Sequence, residues 1–419
     1  MHRREFVHLG VALGAVSLAD LVGCAAPAAK GAAAPAGPAG PQAEGGIAYF
    51  RRFGVDERMI REALSTAMSR GADYADVFFE HRVSTSIMLE DGAVNRASNH
   101  VDLGVGVRAV RGDQTGYGFT EDLTVEAIKK AAETAAAIAT GPARAVPEAF
   151  RVETQLPQRY NLRRRWEDVR TQEKLPLLTR LNEAVFRADG RVKRVTARFS
   201  DSFGAVLVAD SRGRIVEDVQ PMTTLGIECT AEHNGRRESA SRNIAARDGL
   251  DFYSDERMAR LVKKVVADTM ILFEAGSPPA GEMPVVLAPG SSGILLHEAI
   301  GHGMEADFNR KGTSIYADKI GKPVAHPFVN IVDDGTIDNT RGAINVDDEG
   351  MVAQKTMLVE GGVLATYLHD SISAKHYGVK PTGNGRRESY RDIPMPRMRA
   401  TYMLPGPHKP EEVIASVKK

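Results

Sequence analysis

The chain has only two cysteines in 419 residues, Cys24 and Cys229, too few for a disulfide framework. One tryptophan and 6% aromatic residues leave little with which to build stacking platforms for single-stranded nucleic acid. Excess charge is missing as well. Lys plus Arg and Asp plus Glu are 54 each, so no global field draws the chain to nucleic acid or to an anionic membrane. No nucleic-acid partner is expected. No uninterrupted apolar run is long enough to span a bilayer. What is present, 43% hydrophobic and 26% charged residues, is a globular composition on a chain long enough for two or three cores.

The N-terminus reads as an address. Arg3-Arg4 with Phe6 two places on, then a mildly apolar run from Leu9 to Val22, resembles a twin-arginine export signal. Leu21-Val22-Gly23-Cys24 resembles a bacterial lipobox and makes Cys24 the expected lipidation site. The residues from 25 to 46, AAPAAKGAAAPAGPAGPQAEGG, have almost nothing to bury and suit a tether. The expectation is a bacterial envelope protein whose only membrane contact is a lipid anchor, cytoplasmic if that reading of the N-terminus fails.

Hydrophobic periodicity divides the rest into three units. In the first (47–147), Met59, Ile60, Ala63, Leu64 and Ala67 form one helical stripe over Asp56–Arg70. Ala75–Leu89 alternates like a strand into an Asp91-Gly92 turn, strands are expected over Val101–Val110 and Gly116–Phe119, and a helix over Asp122–Ala139. In the second (148–276), a helix over Lys174–Ala188 precedes strands at Val192–Ser200, Gly204–Asp210, Arg214–Val219 and Met222–Glu232. A long amphipathic helix follows from Asp255. The third (277–419) opens with an expected buried strand, Met283–Ala288, and a helix start that a Ser or Gly of Pro289-Gly290-Ser291-Ser292 can cap. It then becomes turn-rich, which suits antiparallel strands. The fold class is α+β.

The chemistry concentrates at His297-Glu298-Ala299-Ile300-Gly301-His302. Zinc takes imidazole, thiolate and carboxylate ligands, and a catalytic site keeps a position open for water. His297 and His302 supply two ligands, and Glu298 sits where a general base is wanted. Histidines four apart stand about 40° apart on a helix, whereas five apart is about 140°. Both can reach one ion only if the helix widens locally, as in a π-type bulge near Gly301. On ideal geometry Glu298, His302 and Glu305 would instead share a face as an alternative ligand set. Without further context, a satisfied core histidine beside a solvent-facing one competes with both.

Context comes from longer blocks. PGSSGILLHEAIGHGMEADFNRKGTSIYADKIG resembles the TldD/PmbA family of peptidases. So do DDGTIDNTRGAINVDDEG, QKTMLVEGGVLATYLHD, GNGRRESYRDIPMPRMR, PGPHKPEEVIASVKK and, in the first unit, GADYADVFFE and VDLGVGVRAVRGDQTGYGF. The resemblance runs from about residue 55 to the end and is to the TldD-type half, which keeps the H-E-x-x-x-H element. It implies one Zn2+ on His297 and His302, Glu298 activating water, and unfolded or small peptides as substrates. It also implies a curved antiparallel C-terminal sheet carrying the metal helix, and a PmbA-type partner subunit in a heterodimer, or a homodimer.

Two departures accompany the resemblance. The family's third zinc ligand is a cysteine just beyond the segment like PEEVIASVKK, where this chain stops at Lys419, so a truncated C-terminal domain with weak or no zinc binding is expected. Cys229, in the middle unit, does not match that position. Arg399-Ala400 stands where many relatives have Thr-Asn. Arg386 and Arg387, beside Gly383-Asn384-Gly385, are candidates to bind a peptide carboxylate through forked donors. The leading function is a zinc-dependent metallopeptidase; the competing one is an inactive subunit or peptide-binding scaffold of the same family.

Overall fold

The computed structural model describes residues 47–417 except Asn161 and Ser291. The expected signal, the tether and Cys24 lie outside the described residues. Within them, no helix is long and apolar enough to cross a membrane.

Period-two alternation builds one large sheet. Its strands are β1 (Tyr74–Glu90), β2 (Ala93–Arg111), β3 (Gln114–Thr120), β4 (Arg151–Glu153), β5 (Val192–Asp210), β6 (Arg214–His233) and β7 (Arg236–Ala246). They run in the order β3-β2-β1-β5-β6-β4, with β7 also on β6. All pairings are antiparallel except that of β4 with β6. The Asp91-Gly92 turn joining β1 to β2 has φ of 48° and 87°, the doubly left-handed turn whose twist matches a hairpin. Pairing of β1 with β5, from Asp76↔Asp210 to Glu90↔Thr196, carries the sheet across the boundary expected near residue 147.

Two pairs of expected strands are continuous. The gaps expected at residues 201–203 and 220–221 are filled, β5 and β6 running through them with Phe203 opposite Pro221. The Pro221 carbonyl accepts from Arg247 Nη1 at 3.1 Å. A strand residue's N–H and C=O point the same way, so the missing N–H faces that side rather than the β5 ladder, where proline is tolerated.

The helices Glu57–Ala67, Val125–Ala136, Thr171–Ala188 and Asp255–Ile271 cover one face. Asp56 caps the first, its carboxylate accepting from Met59 N–H at 2.8 Å, and the expected stripe of Met59, Ile60, Ala63, Leu64 and Ala67 is buried. Each fully buried Ile or Leu contributes about 1.5–3 kcal/mol. Val77 and Phe79 of β1 point into this core.

Alternation turns Asp76, Phe78 and Glu80 to the other face, against the C-terminal region. That region holds β8 (Ile331–Asp334), β9 (Lys355–Glu360), β10 (Val363–Leu364), β11 (Gly385–Arg386), β12 (Met395–Pro396) and β13 (Thr401–Met403). These form a four-stranded antiparallel sheet, β10-β9-β8-β13, and the pair β11-β12. The buried strand expected at Met283–Ala288 is corrected. The segment is not in a strand, and Val285 and Leu287 are 69% and 58% exposed. A strand needs a neighbour for its N–H and C=O groups, and none among the described residues pairs with it.

The interface between sheet and C-terminal region is ionic and buried. Arg108, fully buried, bonds Asp76 through Nε at 2.8 Å and through Nη2, and reaches Glu349 Oε1 at 2.7 Å. Arg387 Nη2 takes the other Asp76 oxygen at 2.7 Å. Tyr117 OH donates to Tyr390 O at 2.6 Å, and Tyr390 N–H to Glu80 at 2.9 Å. Gly104 and Gly106 of β2 admit this packing, because a Cβ at either would overlap the Tyr390 or Tyr117 side chain.

Removing one partner of a buried pair leaves a charge uncompensated, at a cost of about 3–5 kcal/mol. Asp76→Ala should therefore lower the unfolding free energy by about that amount in urea titrations. An unchanged midpoint would show that docking of the C-terminal region does not depend on Asp76.

Candidate metal centre

The histidine segment begins as a helical turn, Gly293–Leu296, widens to a π turn over His297–Gly301, and tightens to a 3-10 turn over His302–Met304. The π turn is closed by His302 N–H donating to His297 O, a bond between residues five apart. This is the local widening that the five-residue spacing required, and it brings the two rings together edge to face. Their centroids lie 4.7 Å apart at 85°. Gly301 is needed for packing rather than for its φ: a Cβ there would overlap the thioether of Met398. Ser292 does not cap this turn with its side chain; its Oγ donates to Ala288 O instead.

Donor atoms of His297, Glu298 and His302 all lie within 4.8 Å of one another. His297 is held below the usual histidine range, first by burial and then by the neighbouring His302, which favours the neutral ring with one nitrogen lone pair open to a metal. Two imidazoles and a carboxylate on one turn fit a zinc-type metal ion. The alternative set does not form, because Glu305 turns inward. Fully buried, it accepts from His302 Nδ1 at 3.2 Å and from Arg397 Nη1 at 3.0 Å. Burial raises the Glu305 carboxyl above its ordinary value, against the pull of Arg397. A carboxylate on Nδ1 keeps the proton there and presents Nε2, the arrangement that orients metal-binding histidines. The signal for this role was the three-residue spacing from His302 to Glu305; Arg397 carried none.

Other candidates separate. Cys229 is buried in β6, where its backbone oxygen accepts from Thr269 and burial pushes its thiol up; it is not part of this centre. Arg387 is corrected as a substrate-binding candidate. Only 4% exposed, it is engaged by Asp76, by Tyr117 OH at 2.9 Å and by Asp392 O at 3.1 Å, so its fork is already filled. Arg386, its neighbour on β11, is exposed.

In metal-free protein the His302 ring should carry its proton on Nδ1, and Glu305→Ala should shift it towards Nε2. The 15N shifts of the ring nitrogens report this directly. An unchanged tautomer would remove Glu305 as the orienting group.

Comparison with known proteins follows the same division. Residues 75–139 match the model for the PmbA/TldA metallopeptidase domain 1, 164–273 the central domain and 280–419 the C-terminal domain. The "Metalloprotease TldD homolog" of Haemophilus influenzae is 40% identical over 357 residues, covering 84% of this chain and 74% of that protein. The "Zinc metalloprotease TldD homolog" of Saccharolobus solfataricus is 25% identical, over 85% and 78% of the two chains. Among solved structures, a Thermotoga maritima protein aligns with a TM-score of 0.69 at 22% identity, over 85% of this chain and 79% of its own. TldE from Thermococcus kodakarensis aligns at 0.67 and 18%, over 86% and 80%; both share the fold. The envelope localisation is corrected: the similarity to the Haemophilus protein lends no support to twin-arginine export or to a lipid anchor on Cys24, and both are withdrawn. With three family domains matched in order and a relative at 40% identity over most of its length, the chain belongs to the PmbA/TldA family of metallopeptidases, the family of TldD.

Proposed function

We propose that the chain is a zinc-dependent peptidase in which His297 and His302 hold the ion and Glu298 is the general base. The single observation that supports this is the π turn, which brings the donors of all three side chains within 4.8 Å of one another. The chemistry supplied by zinc when bound there is polarisation of a carbonyl and a lowered pKa for water. Glu298 is exposed, so its carboxylate can take the proton of an attacking water and return it to the leaving amine. Glu305 holds His302 in the tautomer that leaves Nε2 free, and Arg397 holds Glu305. The substrate class we assign is unfolded or small peptides. The partner we assign is a TldE-type subunit or a second copy, on the strength of the shared fold with TldE.

The donor set favours a second reading. If Glu298 serves as the base, two imidazoles are left among the described residues as ligands, short of the three that catalytic zinc sites use. A peptide-binding subunit without turnover would then keep the same shape.

Glu298→Gln separates the two. With zinc supplied, the variant should retain the metal by mass-spectrometric stoichiometry while peptide hydrolysis falls by a factor of about 100 to 10,000. Near-normal turnover by the variant would exclude Glu298 as the base, and wild-type protein that binds zinc and peptide but cleaves nothing would favour the scaffold.

A further inference from the structure

Arg386 does not stand alone. Arg399 lies against the same turn, its Nε donating to Gly383 O at 3.4 Å and its Nη2 to Gly385 O at 3.3 Å. Gly342 packs so tightly on the backbone of Arg399 that a Cβ would overlap its carbonyl oxygen, which sets Arg341 beside it. Arg247 in turn donates from Nε to Arg341 O at 3.3 Å. Four arginines brought from β11, from the segment before β13, and from two loops thus meet at one place. Arg341 and Arg386 are exposed there, and Arg247 and Arg399 half-buried.

None of the four guanidinium groups forms an ion pair among the described residues, although most buried arginines in this chain do. The carboxylates close by are already used. Asp347 accepts from the N–H groups of Glu349, Met351 and Gly385. Asp348 accepts from Arg387 N–H at 2.7 Å, and Asp218 from Tyr160 OH and Asn345 Nδ2. Asp333 accepts from Arg399 N–H, Thr401 and Asn384. These carboxylates offset part of the positive charge, as Asp218 does for Arg247 and Asp348 for Arg386, but among the described residues none hydrogen-bonds to any of the four guanidinium groups, whose mutual repulsion is unfavourable. Burial, and behind it the mutual repulsion, holds Arg247 and Arg386 below the ordinary arginine range. Such a cluster is stabilised by an anion, and guanidinium forks match a carboxylate in two-point fashion.

The cluster also borders the metal centre. Met398, whose thioether packs on Gly301 of the π turn, is followed directly by Arg399. Asp333, which accepts the Arg399 N–H at 2.9 Å, lies within electrostatic reach of His297.

We infer that Arg247, Arg341, Arg386 and Arg399 form a subsite for a carboxylate of the bound peptide, either its free C-terminus or an acidic side chain, placed to one side of the histidine pair. The inference rests on the peptidase reading for the identity of the ligand as a peptide, but not on turnover.

The test is binding without catalysis. Fluorescence anisotropy is read on the full chain in chelator, with four N-terminally labelled versions of one short neutral peptide: free acid, C-terminal amide, amide with one internal Glu, and amide with Gln in its place. The free acid or the Glu amide should bind about ten- to a hundredfold more tightly than its neutral counterpart, as expected for hydrogen bonds to a charged group. Arg386→Gln and Arg399→Gln should each remove most of that preference. A preference for the free acid alone assigns the C-terminus, and one for the Glu amide assigns an acidic side chain. Arg386 makes no hydrogen bond that the fold needs, so its variant stays informative if Arg399→Gln unfolds. Equal binding of all four peptides, a preference that survives both substitutions, or no binding at all would overturn the proposal. Carboxylate preference without hydrolysis would leave the subsite standing while the peptidase reading fell, and hydrolysis without the preference would do the reverse.

Discussion

The buried ion cluster of Asp76, Arg108, Glu349 and Arg387 is the constraint on which the rest depends. Its members come from β1, β2 and two segments of the C-terminal region, so it closes only when sheet and C-terminal region are docked. Charges taken out of water are tolerated when geometry and hydrogen bonds are complete. Here they are nearly so: Ser371 satisfies the second Glu349 oxygen through N–H and Oγ, both at 2.7 Å. Arg214 adds donors to Glu349 O and Gly350 O at 2.7 and 2.8 Å. The same cluster fastens the strand that presents Arg386. Arg387 N–H is tied to Asp348 and Gly385 N–H to Asp347, at 2.7 and 2.8 Å, so Arg386 between them has little freedom of backbone.

The metal centre is positioned by a different device. A spacing of five positions between the two candidate ligands does not fit a regular helix, and the π turn resolves this with one bond, His302 N–H to His297 O. A π turn loses regular hydrogen bonding and is found chiefly where function requires it. It is held by contacts from outside its own segment, with Met398 against Gly301, Tyr316 against Gly303, and Arg397 on Glu305. Residues 397 to 399 thereby touch both sites: Arg397 through Glu305, Met398 through Gly301, and Arg399 through the arginine group.

Periodicity found the helices and most strands because side chains facing the helix-covered core obey it strictly. Val77 and Phe79 alternate with Asp76 and Glu80, and the 57–67 helix buries the stripe its spacing marks. It failed where the pattern meets something other than a hydrophobic core. The first part of β2, from Ala93 to Val101, is exposed on both faces and has no alternation to detect. The gaps expected at 201–203 and 220–221 close only once β5 and β6 are paired. Met283–Ala288 has the composition of a buried strand but no partner among the described residues.

For function, the chain order alone carried the candidate metal-ligating residue types, their spacing and the need for a bulge, since these are local and one helical turn decides them. It also carried the family, through blocks too long to arise by coincidence. Tertiary structure decided which side of the turn Glu305 occupies, making it the partner of His302 rather than a ligand. It decided that Arg387 is structural while Arg386 is free, although the two are adjacent, because successive residues of a strand face opposite sides and only one side meets Asp76. And it alone gathered Arg247, Arg341 and Arg399 around Arg386, since residues on separate segments of the chain have no sequence signal for a meeting that only the packed chain creates.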